Sequence, residues 1–177
     1  IYEAPISFYK EKLDKQVMTH FKLKPKKKVN LNPWKKISKS VLKSKKEVNI
    51  AIIGKYVNLK DAYKSLDEAL THGGVVNNVK VNLIRIESDK LKVSKIKKNL
   101  TNVSGILIPG GFGQRGTEGK IASINFARKN KIPFFGICFG MQMAVIEFAR
   151  NKLKIKNANS TELVKKCYPV IGLLSEW

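Results

Sequence analysis

Ile132-Pro133-Phe134-Phe135-Gly136-Ile137-Cys138-Phe139-Gly140-Met141-Gln142 is the stretch on which the fold reading turns. Residues 132–137 form a short apolar run bounded by Gly136, as a buried strand does. Beyond Cys138 the period changes to that of a helix, with Met141, Ala144, Val145 and Phe148 on its inner face. A strand that turns through Gly-x-Cys-x-Gly straight into a helix has the form of a nucleophile elbow, with sulfur in place of oxygen. The glycines are needed because the turn is sharp and backbone must approach backbone. A thiol there lies at a helix N-terminus, where the dipole and free N–H groups favour thiolate. The N–H of Phe139 is aimed to stabilise a tetrahedral oxyanion. The bland alternative is a buried structural cysteine. Cys167, beside Lys165-Lys166 and without an elbow, reads as structural.

Upstream, strands and helices alternate. Val48-Asn49-Ile50-Ala51-Ile52-Ile53 is a short buried strand ended by Gly54. Asp61 can cap a helix with Ala62, Leu66, Ala69 and Leu70 inward, and Gly73-Gly74 should stop it. Residues 80–86 alternate as a strand, and 91–100 form a weaker helix. Gly105-Ile106-Leu107-Ile108 is a buried strand leading into Pro109-Gly110-Gly111-Phe112-Gly113, and a helix follows over 118–129 with Ile121, Ile124 and Ala127 inward. A further strand is expected over 168–174. The fold class is therefore α/β, a doubly wound, largely parallel sheet. The Gly-Gly turn falls on the binding edge of such a sheet and could offer a second oxyanion N–H, from Gly111 or Gly110. A phosphate loop is the rival, but the spacing matches neither the dinucleotide fingerprint nor the P-loop.

The first 46 residues read differently. Phe8, Leu13, Val17 and Phe21 recur loosely as in a helix, Lys24-Pro25-Lys26-Lys27-Lys28 interrupts, and Asn32-Pro33-Trp34 opens a second helical pattern with Ile37 and Val41. Residues 43–46 read as a linker to a second domain, 47–177. The 43% hydrophobic content supports a globular chain, and no apolar run approaches the roughly 20 residues of a membrane span. The chain opens at Ile1 without a signal-peptide core, and two cysteines are too few for a disulfide scaffold, so a cytoplasmic setting is expected. The net charge of +22 invites a nucleic-acid reading. It is almost all lysine; only Arg85, Arg115, Arg128 and Arg150 could supply bidentate contacts. Scattered lysines among asparagines and isoleucines read as a solvated surface, binding polyanions at low salt without specificity.

Together these segments resemble the class I glutamine amidotransferases and, within them, the CTP synthase family. The elbow and the Gly-Gly turn match the wider class. The narrower likeness lies in Gly54-Lys55-Tyr56-Val57, Asp61-Ala62-Tyr63-Lys64-Ser65, His72-Gly73-Gly74, residues 109–119, and Asn157-Ala158-Asn159-Ser160-Thr161-Glu162. Ile1-Tyr2-Glu3-Ala4-Pro5 is similar to the tail of that family's amidoligase domain, and Trp34 to part of its interdomain helix. The resemblance implies that Cys138 is the nucleophile of glutamine hydrolysis. It also implies glutamine and oxyanion contacts from Gly110, Gly111, Phe139, Gly140, Met141, Gln142 and Glu162, and a GTP-responsive loop at Arg115, Gly116 and Glu118.

No cofactor and no metal is implied for this segment. ATP, Mg²⁺ and UTP belong to the family's amidoligase domain, which would also build most of a homotetramer. The implied partners are glutamine, GTP as activator and the rest of such a chain, with neither membrane nor specific nucleic acid. The departure is the triad. The family takes its histidine and glutamate from a His-Pro-Glu segment, whereas His20 and His72 are the only histidines here. This segment alone is therefore expected to be inactive. Two readings from other classes stand beside this one. A stand-alone cysteine hydrolase gives the N-terminal region no role, and a lysine-rich nucleic-acid module leaves the elbow unexplained.

Overall fold

The computed structural model describes residues 1–172 except Lys26, Lys45, Asn58 and Lys60. The chain divides into two compact units, Ile1–Glu47 with Glu68–Val81, and Val48–Asp67 with Asn82 onward.

In the first unit, the loose helical pattern becomes two short helices, α1 (Ala4–Lys10) and α2 (Leu13–His20), separated by Lys12 at φ 58°. Helix α3 (Asn32–Lys43) begins with Pro33 in its first turn, as its sequence predicts. Its indole, Trp34, donates a 2.7 Å hydrogen bond to the Tyr2 carbonyl. The Tyr2 hydroxyl in turn donates to Glu68 at 2.5 Å; burial, followed by this carboxylate, pushes its pKa up to about 12. Strand β1 (Lys46–Gly54) follows almost at once: the linker expected over 43–46 is shorter than read, since Lys43 ends α3 and Lys46 opens β1, leaving Ser44 and Lys45 between them, the latter outside the described residues.

Helix α4 (Lys64–Asn77) differs from its expectation at both ends and in its face: Ala62 lies before it, Ala62 and Ala69 are exposed, and Leu66 and Leu70 are half-buried. Asp61 lies in a turn three residues before the helix, and Gly73-Gly74 does not stop it. A Cβ on Gly74 would come within 2.7 Å of the Val79 carbonyl, so this glycine serves close packing. The helix ends instead at Asn78, whose φ is 54°. His72 therefore sits inside the helix, edge-on to Tyr2, and not at its C-terminus.

The remaining elements are β2 (Val79–Glu87), α5 (Ile96–Asn99), β3 (Gly105–Ile108), α6 (Thr117–Lys129), β4 (Phe134–Gly136), α7 (Phe139–Asn151), β5 (Ala158–Ser160) and β6 (Tyr168–Ile171). The weaker helix expected over 91–100 is a 3-10 turn, Val93–Lys95, running into the four-residue α5. Four strands form one sheet in the order β2-β1-β3-β4. Strand β1 pairs parallel with β3, Ile52 opposite Leu107, and β3 pairs parallel with β4, Ile108 opposite Gly136. The expected mixed α/β fold with a mostly parallel sheet is what the chain adopts. The strand expected over 168–174 is β6, but it pairs parallel with β5 in a separate two-stranded sheet; its last two positions, Leu173 and Leu174, lie outside the described residues.

The core of the second unit gathers Ala51 and Ile53 from β1, Ile106 and Ile108 from β3, Ile121, Ile124 and Ala127 from α6, and Phe139, Met143 and Ile146 from α7. The inner face expected for α7 is thus wrong: Met141, Val145 and Phe148 are exposed and the residues between them pack inward, because helical spacing alone fits two adjacent apolar stripes here. Behind the core, Glu147 of α7, 1% exposed, accepts hydrogen bonds from Asn125 and Arg128 of α6. The chain leaves β1 toward β2 on one side and returns to β3 on the other. The C-terminal ends of β1 and β3 therefore flank the topological switch point, where open α/β sheets bind their ligands.

Candidate functional site

Three segments leave the C-terminal ends of neighbouring strands: Gly54-Lys55 after β1, residues 109–113 after β3, and Ile137-Cys138 after β4. The Ile137 N–H donates to the Ile108 carbonyl at 2.9 Å, which keeps β4 paired to β3 up to the residue before the cysteine.

Cys138 is exposed and has φ 51° and ψ −107°, a left-handed-side conformation that a residue with a Cβ rarely adopts. It is the N-cap of α7, its carbonyl accepting from the Met141 and Gln142 N–H groups at 3.0 and 3.1 Å. The Gly140 N–H is taken by the Ile137 carbonyl. Among the described residues the Phe139 N–H has no acceptor, so it remains available at the helix N-terminus beside the sulfur. The flanking glycines are sterically required. A Cβ on Gly136 would lie 2.5 Å from the Gly140 carbonyl carbon and 2.6 Å from the Met141 nitrogen, and one on Gly140 would collide with the Ile108 carbonyl oxygen.

The glycine turn stands against this elbow. A Cβ on Gly110 would be 3.7 Å from that of Cys138, whereas Gly111 faces open space. The Lys55 ammonium, on a residue 7% exposed, donates to the carbonyls of Phe112 and of Gly113, the latter at 2.8 Å. Burial, then the Arg115 charge, lowers its pKa, against the opposing influence of Asp89 and Glu162. Glu162 is exposed in a turn after β5, its N–H donating to the Ser160 hydroxyl. The Gln142 Oε1 is buried with no hydrogen-bond partner among the described residues. Phe139 is 1% exposed, its ring carrying the Lys120 ammonium at 4.7 Å and that of Lys55 at 5.6 Å. Lys120, also 1% exposed, has its pKa lowered to about 8, by burial first and by Lys55 and Arg115 next.

In the loop 115–118, Gly116 and Glu118, but not Arg115, line a cavity of about 400 Å³ together with Ser88, Asp89 and Asn159. Gly116 has φ 75°, and the Ser88 hydroxyl occupies the position a Cβ would take. Arg115 approaches Asp89 at 3.6 Å, and Glu118 pairs with Arg150 at 2.9 Å, whose Nε also donates to the Ala158 carbonyl. The loop is thereby tied to α7 and β5.

The fold thus brings Cys138, Gly110, Gly111, Phe139, Gly140 and Gln142 together, with Met141 exposed in the first turn of α7. Lys120 and Asp89 carry no sequence signal of their own, and Lys55 stood in the Gly54-Lys55-Tyr56-Val57 likeness without an assigned role. Lys55 follows a strand-ending glycine, and Lys120 occupies an inward helical position where an apolar residue is the expectation. Both histidines belong to the first unit: His20 ends α2 against Phe21, and His72 lies in α4. Cys167 is half-buried, its thiol donating to the Val164 carbonyl. Among the described residues no group of His, Cys, Asp or Glu could hold a metal ion, and no helix is long and apolar enough to cross a membrane.

Comparison with known proteins places the chain in a family. Over its whole length the chain is 72% identical to the CTP synthase of Pelagibacter ubique (strain HTCC1062). Across a 180-residue alignment that covers all of the chain, it is 54% identical to that of Azospirillum brasilense. It spans 33% of the length of each of these relatives. Among solved structures it is similar to the glutaminase domain of Trypanosoma brucei CTPS with bound acivicin. That match has a TM-score of 0.65 and 38% identity, and covers 69% of this chain and 48% of that one. The family model for glutamine amidotransferase class-I matches residues 58–171, from the loop after β1 to the end of β6, and the chain belongs to that family.

Proposed function

We propose that this chain is the glutamine-hydrolysing portion of a CTP synthase, with Cys138 as nucleophile. The observation that carries the reading is the exposed Cys138 at φ 51°, on the N-cap of α7, with the unpaired Phe139 N–H beside it. The thiolate attacks the side-chain amide carbon of glutamine, and the carbonyl electrons move onto oxygen. The Phe139 N–H and a glycine N–H from Gly110-Gly111 stabilise that oxyanion. Collapse expels ammonia once its nitrogen is protonated, leaving a thioester, which water then hydrolyses to glutamate and free thiol. Gln142 and Glu162 hold the glutamine, Glu162 by pairing with its ammonium; Gly140 and Met141 complete the floor.

The resembled family takes the base for both steps from a His-Pro-Glu segment, and His20 and His72, the only histidines of this sequence, lie in no such segment. The similarity to CTP synthases further supports delivery of the ammonia to UTP activated by ATP and Mg²⁺, in the part of such proteins beyond this chain. It also supports response to GTP at Arg115, Gly116 and Glu118, residues 1–46 as the tail of an amidoligase domain with its linker, and a cytoplasmic homo-oligomer. ATP and Mg²⁺ are not assigned to the residues here; among the described residues no group of His, Cys, Asp or Glu could hold the ion.

The test is ammonia release from glutamine by the full-length protein, beside Cys138→Ala and Cys167→Ala. Loss only in Cys138→Ala, with a glutamine-mimicking alkylator labelling Cys138 alone, is the expected result. Labelling at Cys167, or turnover by Cys138→Ala, refutes the reading.

A further inference from the structure

We propose that Lys55 is a positioning residue of this site: its ammonium clamps the Phe112 and Gly113 carbonyls and thereby holds the Gly110-Gly111 amides against the elbow. The inference rests on the reading of Cys138 as the nucleophile of glutamine hydrolysis.

The turn after β3 has little else to fix it. Gly110, Gly111 and Gly113 give three of its residues wide backbone freedom, and Gly113 uses it at φ 73°. Packing does not compensate, because the Phe112 side chain is 80% exposed and nothing lies within 4 Å of where a Gly111 Cβ would be. A peptide plane in such a turn can rotate its N–H away from the elbow at small cost. Two hydrogen bonds from one buried cation oppose this, since the carbonyls of two successive residues must both face Lys55. Lys55 is well based for the task. It follows β1 directly, in the sheet position next to β3, and a buried ammonium stays where its acceptors are. The clamp therefore crosses the topological switch point from one strand end to the next. It acts on an oxyanion donor two residues away, so its loss should appear in the chemical step rather than in glutamine affinity.

The experiment uses the full-length protein, with wild type and Cys138→Ala assayed first so that failure of the underlying reading is seen separately. Lys55→Met keeps the stem and removes the donors. Loss of one oxyanion donor typically costs about 10²-fold, so kcat for ammonia release should fall about 30- to 100-fold with KM within about threefold. Alkylation of Cys138 by iodoacetamide, which needs a thiolate but no oxyanion hole, should stay within about threefold. Lys55→Arg, which can donate to both carbonyls, should recover at least about tenfold of the lost rate. If Lys55→Met does not fold, as judged by its melting transition, Lys55→Gln with its single amide donor group is read in the same way. Turnover within about threefold of wild type, a parallel fall in alkylation and turnover, or a loss expressed only in KM overturns the proposal.

Discussion

Replacing Lys120 by methionine should stabilise the protein at neutral pH, and the gain should vanish in alkali. Lys120 is 1% exposed, and its ammonium faces the Phe139 ring rather than a carboxylate. Burial, with the Lys55 and Arg115 charges, lowers its pKa from 10.5 to about 8. Between those values the unfolded chain binds more protons than the folded one, so stability rises with pH across that window. Below about pH 8 the cost of the buried charge is present in full. A shift of this size corresponds to about 3 kcal/mol. Against it stands the cation–π attraction that methionine forgoes, about 1–2 kcal/mol at a desolvated site. Methionine matches the lysine stem in length and fills irregular space well. The expected net gain for Lys120→Met is therefore about 1–2 kcal/mol at pH 7. Above pH 10.5, where the wild-type side chain is neutral in both states, the two proteins should differ little. Urea denaturation of both, followed by circular dichroism at pH 7, 8.5 and 10.5, measures this. A difference independent of pH, or a variant less stable than wild type at pH 7, refutes the reasoning.

Gly140→Ala drives a methyl group into the Ile108 carbonyl; overpacking of this kind costs about 1–3 kcal/mol, and the displaced elbow should slow Cys138 alkylation at least about tenfold, read by mass spectrometry. Glu147→Ala leaves Arg128 and Asn125 without their buried acceptor. It should cost about 2–4 kcal/mol in urea denaturation, below the full buried-pair penalty because Arg128 is about one-third exposed. Residues 1–177 expressed alone should release ammonia from glutamine about 10³-fold more slowly than the full-length protein, because neither His20 nor His72 lies in a His-Pro-Glu segment of the kind that serves the resembled family; comparable rates would show that no further base is needed.

Periodicity and glycine spacing were enough to read the β-α alternation, the buried strands β1 and β3 and the elbow at Cys138, because these are local; β4, also expected to be buried, leaves Phe135 63% exposed. A helix N-terminus needs a capping residue in the preceding turn, and a strand that meets a helix within two residues needs glycine where backbone touches backbone. The same local logic misread Gly73-Gly74. Whether a glycine ends a helix or lets another strand approach it depends on what lies beside it, and here Val79 does. It also could not tell that 168–171 pairs with β5 apart from the main sheet, since strand character is local but partnership is not. Strand order was equally beyond it, and with it the switch point that sets Lys55 across from Phe112 and Gly113, 57 and 58 residues away along the chain. Lys120 shows the same limit from the other side. The inward face of its helix was read as Ile121, Ile124 and Ala127 without it, and a charge buried against Phe139 became visible only when α6 packed on α7. Residue type and spacing determined where a nucleophile could stand. Which distant groups surround it was decided by tertiary packing, because burial, charge proximity and hydrogen-bond reach are distances in space that sequence separation does not encode.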